Sequence, residues 1–170
     1  MRRAVFFDRD GTINKDIGYL HRIQDLQFID GVPQLIKKCN DKGFLVIVIT
    51  NQSGIARGFY TVSEMNFLHD ELCNRLQIES GAHIDSFYYC PHLPEITGRC
   101  NCRKPEPGLF LKAISDWDIC AELSISIGDS LRDELASIRA GIGRFFYINE
   151  VLADRNLGKS FFESFDQGGI

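Results

Sequence analysis

The sequence predicts an α/β fold with a doubly wound, mostly parallel sheet, and two observations carry that expectation. Short β-branched or aromatic runs alternate with amphipathic helical patterns along the chain, as they do in consecutive βαβ units. The run FLVIVIT at 44–50 is apolar until its final threonine, the pattern of a strand covered on both faces.

Taken in order, AVFF at 4–7 is the first predicted strand. A helix over 32–41 follows, ending near Gly43, and FLVIVIT is the second strand. The next helix, 62–79, opens on a capping box of Thr61 with Glu64 and carries Leu68, Leu72 and Leu76 on one stripe. IDSFYY at 84–89, a helix over 107–117, LSISIG at 123–128, a helix over 132–140 closed by Gly141, and RFFYI at 144–148 complete the pattern. One domain is expected over 1–150. The pattern weakens in the tail, 151–170, which reads as a short closing helix or a frayed end.

A chain of 170 residues, 44% hydrophobic and 25% charged, can bury the core of one such domain. With a net charge of −4 and cations scattered apart from Arg103-Lys104, no nucleic-acid partner is expected. The apolar run before Asp8 is too brief for a signal-peptide core, and nothing approaches the roughly 20 apolar residues of a membrane span. The expectation is a soluble, cytoplasmic monomer with no membrane partner.

Six cysteines in a chain of this length point to metal before disulfides. Cys90, His92, Cys100 and Cys102 supply three thiolates and an imidazole, a closed tetrahedral set for a structural zinc ion. That ion would pin a loop poor in apolar residues and hold Arg103 and Lys104 where they are needed. Cys39, Cys73 and Cys120 read as small buried apolar groups. His21, His69 and His83 read as surface or cap residues.

Open α/β sheets bind their ligands at the carboxyl ends of the strands, and four polar signals fall at such ends. Asp8 and Asp10 follow the first strand, Thr50 and Asn51 end the second, Arg103 and Lys104 follow the third through the cysteine loop, and Asp129 follows the fourth. Asp8, Asp10 and Asp129 brought together repel unless a hard cation lies among them, and Mg²⁺ suits oxygen ligands of this kind. A lysine and a hydroxyl beside that cation fit a phosphoryl group. One carboxylate can then act as nucleophile, and a second, two residues on, as an acid/base whose acid role requires a proton or a raised pKa.

DRDGT, TNQSG, RKP and GDSLRD stand in the order and approximate spacing of the four motifs of the haloacid dehalogenase superfamily of phosphohydrolases, which the chain resembles from about Val5 to Gly143. Within it the sequence is similar to the D-glycero-D-manno-heptose 1,7-bisphosphate 7-phosphatases of bacterial heptose biosynthesis, through FFDRDGTINKDIGYLH, FIDGV, TNQSGIARGFYT and YYCPHLPE followed by CNCRKPEPG. The resemblance implies a Rossmann-like core without a large cap domain. It also implies Mg²⁺-dependent removal of the 7-phosphate through an aspartyl-phosphate, on a route to lipopolysaccharide or glycan precursors.

By the same resemblance Asp8 is the nucleophile and Asp10 the acid/base. Mg²⁺ is held by Asp8, Asp129 and the backbone carbonyl of Asp10, and Thr50 and Lys104 hold the phosphoryl group. Asp16, Gly18, Tyr19, Asn51, Gln52, Ser53 and Arg103 meet the phosphorylated sugar, while Arg57 reads as a substrate contact or a solvated loop cation. Asp133 reads as a structural acceptor for the backbone of the site. The family often has lysine where this chain has Ser130, and nothing is carried over beyond Gly143. The runner-up is a histidinol-phosphate phosphatase. A non-enzymatic receiver-like or zinc-scaffold module is the third reading, and it leaves Asp10 and Lys104 without a purpose.

Overall fold

Five strands, β1 (Ala4–Phe7), β2 (Leu45–Asn51), β3 (Ser86–Cys90), β4 (Ile125–Gly128) and β5 (Arg144–Tyr147), pair in parallel in the order β3-β2-β1-β4-β5. They belong to a computed structural model that describes residues 2–153. The helices are α1 (Val32–Asp41), α2 (Val62–Ser80), the short α3 (Pro94–Thr97), α4 (Gly108–Trp117), α5 (Leu131–Arg139) and α6 (Ile148–Ala153).

Side chains alternate across a strand, so β1 feeds two cores. Val5 and Phe7 pack with Leu35 of α1, Leu68, Leu72 and Leu76 of α2, and Val151 of α6. Ala4 and Phe6 pack on the other face with Leu109, Phe110 and Ala113 of α4 and Ala136 of α5. Helices thus cover both faces, and the middle of β2 is buried as its sequence requires. The capping box of α2 is present, with Glu64 N donating to Thr61 Oγ1 and Thr61 N donating to the Glu64 carboxylate.

The differences from expectation are local. β4 begins at Ile125, because Leu123 is exposed and Ser124 turns its hydroxyl to accept from Ala4 N at 3.0 Å. The turn of helix α3 inside the cysteine loop carries no helical periodicity that could reveal it in sequence. Cys39 is buried as expected, whereas Cys73 and Cys120 are only half-buried. His69 corrects the expectation of a surface or cap residue, since it is 5% exposed within α2, while His83 is exposed and His21 half-buried. α6 starts at Ile148, before the expected tail boundary, and most of that tail, 154–170, lies outside the described residues. Among the described residues no helix is long and apolar enough to cross a membrane.

Candidate active site

Strand order reverses at β1, whose neighbours are β2 and β4, and the carboxyl ends of these strands open into a crevice of about 320 Å³. Asp8 N donates to Ile127 O at 3.0 Å, which carries the β1–β4 pairing one residue past β1. Asp8 therefore stands beside Asp129. The chain then turns through Gly11 at φ +82°, and a Cβ there would fall 2.1 Å from Asp129 Oδ2. Glycine is required at this position by both the backbone and the space.

Lys104 is the hub of the crevice. Its buried ammonium donates to Asp8 Oδ1 at 2.8 Å and Ile49 O at 2.7 Å, and pairs with Asp133 Oδ1 at 2.5 Å. Its main chain exchanges two hydrogen bonds of 3.1 Å with the Asn51 side chain. The second Asp133 oxygen accepts from Ser130 N at 3.1 Å and Ser130 Oγ at 2.6 Å, capping α5. Asp133 is thus the structural acceptor expected, and an ion-pair partner of Lys104 besides.

Burial drives the Asp8 carboxyl up to about 7, Lys104 opposes this, and the charge of Asp133 adds to it. Burial also pulls against the charge on Lys104, but Asp8 and Asp133 outweigh it and hold the ammonium above its ordinary value. The acid role of Asp10 calls for a proton or a raised pKa, and its surroundings do not raise it. Burial pushes it up, yet the Arg9 guanidinium and hydrogen bonds from Asn14, Arg9 and Gln52 bring it below the ordinary carboxylate value. The cation chiefly responsible, Arg9, lies between Asp8 and Asp10 in sequence.

The remaining predicted residues converge as well. Thr50 Oγ1 accepts from Gln52 Nε2 at 2.8 Å, and the same amide reaches Asp10 Oδ2 at 3.0 Å. Asp16, Gly18, Tyr19, Asn51, Ser53 and Arg103 also line the crevice, with Asp16 Oδ1 accepting from Gly18 N at 2.8 Å. Arg57 does not line it; its guanidinium lies over the Tyr19 ring at 5.7 Å. Two further lining residues went unrecognised. Tyr60 donates to Gln52 Oε1 at 2.5 Å, and Arg132, in the first turn of α5, faces the crevice with no anionic partner among the described residues. Both lie inside the quoted motifs, Tyr60 in TNQSGIARGFYT and Arg132 in GDSLRD, but the resemblance assigns neither a role.

Two clusters have the chemistry of metal sites. Carboxylate oxygens of Asp8, Asp129 and Asp133 lie within 4.8 Å of one another, on the scale of an octahedral Mg²⁺ shell, whose opposite ligands are about 4 Å apart. Since both Asp133 oxygens are committed to Lys104 and Ser130, Asp8 and Asp129 are the available pair. In the second cluster, Cys90, Cys100 and Cys102 have Sγ–Sγ distances of 3.2, 3.4 and 3.6 Å, and His92 Nδ1 lies 3.3 Å from Cys102 and 3.5 Å from Cys90. The edges of a tetrahedral zinc–thiolate site are about 3.8 Å, so the set fits zinc after a small expansion. Burial opposes ionisation of Cys100, but hydrogen bonds from the Cys102 thiol and from the Cys102 and Arg103 amides bring its pKa to about 7. Arg103 Nη1 donates to His92 O at 3.1 Å, tying this loop to the crevice.

The parallel strand order, with Asp8, Thr50, Lys104 and Asp129 converging from three strand ends and a loop, defines an α/β domain of the haloacid dehalogenase class. A family model described as polynucleotide kinase 3 phosphatase matches residues 3–134. The chain is 46% identical over 145 residues to a D-glycero-beta-D-manno-heptose-1,7-bisphosphate 7-phosphatase of Haemophilus ducreyi, covering 83% of this chain and 80% of that one. It is 43% identical over 147 residues to the Pasteurella multocida protein of the same name, covering 84% and 79%. A solved D,D-heptose 1,7-bisphosphate phosphatase from B. bronchiseptica, complexed with magnesium and phosphate, superposes with a TM-score of 0.82 at 26% identity, covering 98% of this chain and 99% of that one. The chain belongs to this family of haloacid dehalogenase-type phosphatases.

Proposed function

We propose that the protein is a phosphatase that removes the 7-phosphate of D-glycero-D-manno-heptose 1,7-bisphosphate with the help of Mg²⁺. The observation that carries the reading is the buried Lys104 ammonium clamped on Asp8, two residues before Asp10, in a crevice that also presents Thr50 and Asp129. The names of the relatives supply the substrate. A Mg²⁺ ion held by Asp8, Asp129 and the Asp10 carbonyl would neutralise the phosphoryl oxygens and the carboxylates around them.

An Asp8 carboxylate oxygen attacks phosphorus as the bond to the sugar oxygen breaks, forming an aspartyl-phosphate. Lys104 and Thr50 balance charge on the equatorial oxygens. The departing alkoxide takes a proton from Asp10. Water then attacks the phosphoaspartate and gives its proton back to Asp10, so that ester and water become alcohol and inorganic phosphate. The low pKa of Asp10 suits the second step, where a base is needed; in the first, Asp10 must already have acquired a proton. Asp16, Gly18, Tyr19, Ser53 and Arg103 line the part of the crevice that would receive the sugar. A zinc ion at Cys90, His92, Cys100 and Cys102 would be structural, because four protein ligands leave no open position.

The test is phosphate release with Mg²⁺ from the α and β heptose 1,7-bisphosphates and from histidinol phosphate. A heptose bisphosphate is expected to exceed histidinol phosphate in kcat/KM by at least about a hundredfold. The reverse order would move the protein to the histidinol-phosphate class. Asp10→Asn should slow hydrolysis of the sugar phosphate far more than that of p-nitrophenyl phosphate, whose leaving group needs no proton; equal slowing of both would remove Asp10 from the acid role. Gly11→Ala should displace the Asp129 carboxylate. Its expected signature is a higher Mg²⁺ concentration for half-maximal activity, by about tenfold or more, read from a Mg²⁺ titration.

A further inference from the structure

Arg9 is fully buried and heads the fully buried side chains by volume, and the mechanism above makes no use of it. A guanidinium removed from water is costly unless its donors are met and its charge is paired. Here Nε and Nη2 both reach the two oxygens of Asp10, at 2.9 to 3.3 Å. Nη2 also donates to Leu20 O at 3.3 Å and Gln52 Oε1 at 3.1 Å. The remaining nitrogen, Nη1, lies 3.1 Å from His69 Nε2.

That last contact fixes the state of the histidine. Arginine nitrogens only donate, so Nε2 of His69 is the acceptor and its proton sits on Nδ1. Burial first, and the Arg9 charge second, lower the imidazole pKa to about 3, which keeps it neutral. The ring lies in α2 and stacks on Phe87 of β3, with centroids 4.1 Å apart and planes at 12°. It is therefore held by two elements that contribute no side chain to the phosphoryl site.

We infer that Arg9 and His69 are positioning residues for Asp10: the stacked imidazole holds the guanidinium, whose fork fixes the rotamer and plane of the carboxylate. Gln52 completes the frame, since its amide donates to Asp10 while its oxygen accepts from both Arg9 and Tyr60. Proton transfer to a leaving alkoxide needs the acid within hydrogen-bond reach and correctly aimed. A carboxylate with freedom to rotate would lose that alignment without losing its charge. The inference rests on the assignment of proton transfer to Asp10.

The test compares Arg9→Lys, His69→Phe and His69→Gln with wild type on heptose 1,7-bisphosphate and on p-nitrophenyl phosphate, alongside melting temperatures. Lysine keeps the charge but loses the fork. Phenylalanine keeps the stack on Phe87 but loses the acceptor, whereas glutamine offers a replacement acceptor. Arg9→Lys and His69→Phe should lose at least about tenfold more kcat/KM on the sugar phosphate than on p-nitrophenyl phosphate, and His69→Gln should stay within about threefold of wild type on both. Folded variants that lose the two activities by the same factor, or lose neither, would overturn the inference and leave Arg9 a purely structural residue. If Arg9→Lys does not fold, the two His69 variants decide alone. Wild type inactive on the sugar phosphate, or Asp10→Asn slowing both esters alike, would instead overturn the function proposed above and this inference with it.

Discussion

Asp8→Asn should abolish turnover while leaving the melting temperature unchanged or higher. An amide cannot attack phosphorus, so kcat is expected to fall by more than about a hundredfold, at least about 2.7 kcal/mol of transition-state stabilisation. Stability should move the other way because of where Asp8 sits. Burial raises its pKa from the ordinary value to about 7, so the folded state disfavours the ionised form at neutral pH relative to the unfolded chain. A neutral amide removes that penalty, and Lys104 keeps Asp133 as its partner. Sites built for catalysis commonly hold strain of this kind. The paired measurement is kcat and thermal melting of the variant, with acid quenching of the wild type to trap a hydroxylamine-sensitive phosphoenzyme. Retention of more than about a hundredth of the rate, with no trapped phosphoenzyme, would exclude a covalent route through Asp8.

The parallel sheet was legible because its strands and helices carry different periods, and β1, β2 and α1 match the expected ranges to within a residue. The crevice was legible for a related reason. Strand ends can be counted in sequence, and parallel strands deliver their carboxyl ends to one edge, so Asp8, Thr50, Lys104 and Asp129 meet although they are far apart in the chain. Contacts made through a third residue were not legible. His69 sits between Leu68 and the charged pair Asp70-Glu71 with nothing in the sequence to link it to Arg9, and only the fold brings the two together. The pKa of Asp10 was not legible for the same reason, since it follows from Arg9, Asn14 and Gln52 acting together. Arg132 stands inside GDSLRD, but nothing in that motif shows that its side chain turns into the crevice from the first turn of α5.

Removal of the zinc proposed for the cysteine loop should have the second largest effect. Cys100→Ser takes away the thiol that the Cys102 and Arg103 amides help to ionise, and a hydroxyl is a poor substitute ligand for zinc. The purified wild type is expected to carry about one zinc per chain after Mg²⁺ is stripped, because thiolates hold zinc where a carboxylate crevice does not. The variant should lose that zinc and melt on the order of 10 °C lower, since metal-binding energy in such a loop is largely folding energy. The kinetic consequence falls unequally on the two cations. Lys104 is anchored independently of the cysteines, through Asn51 and the carboxylates of Asp8 and Asp133. Arg103 instead takes its bearing from the carbonyl of His92, one of the four ligands. Zinc loss should therefore raise KM for the sugar phosphate by about tenfold while changing kcat by less than about threefold. A variant that loses zinc yet keeps wild-type KM and melting temperature would separate the cluster from both the stability of the loop and the aim of Arg103. A collapse of kcat at unchanged KM would instead mean that the loop acts on Lys104, against the anchoring by Asn51.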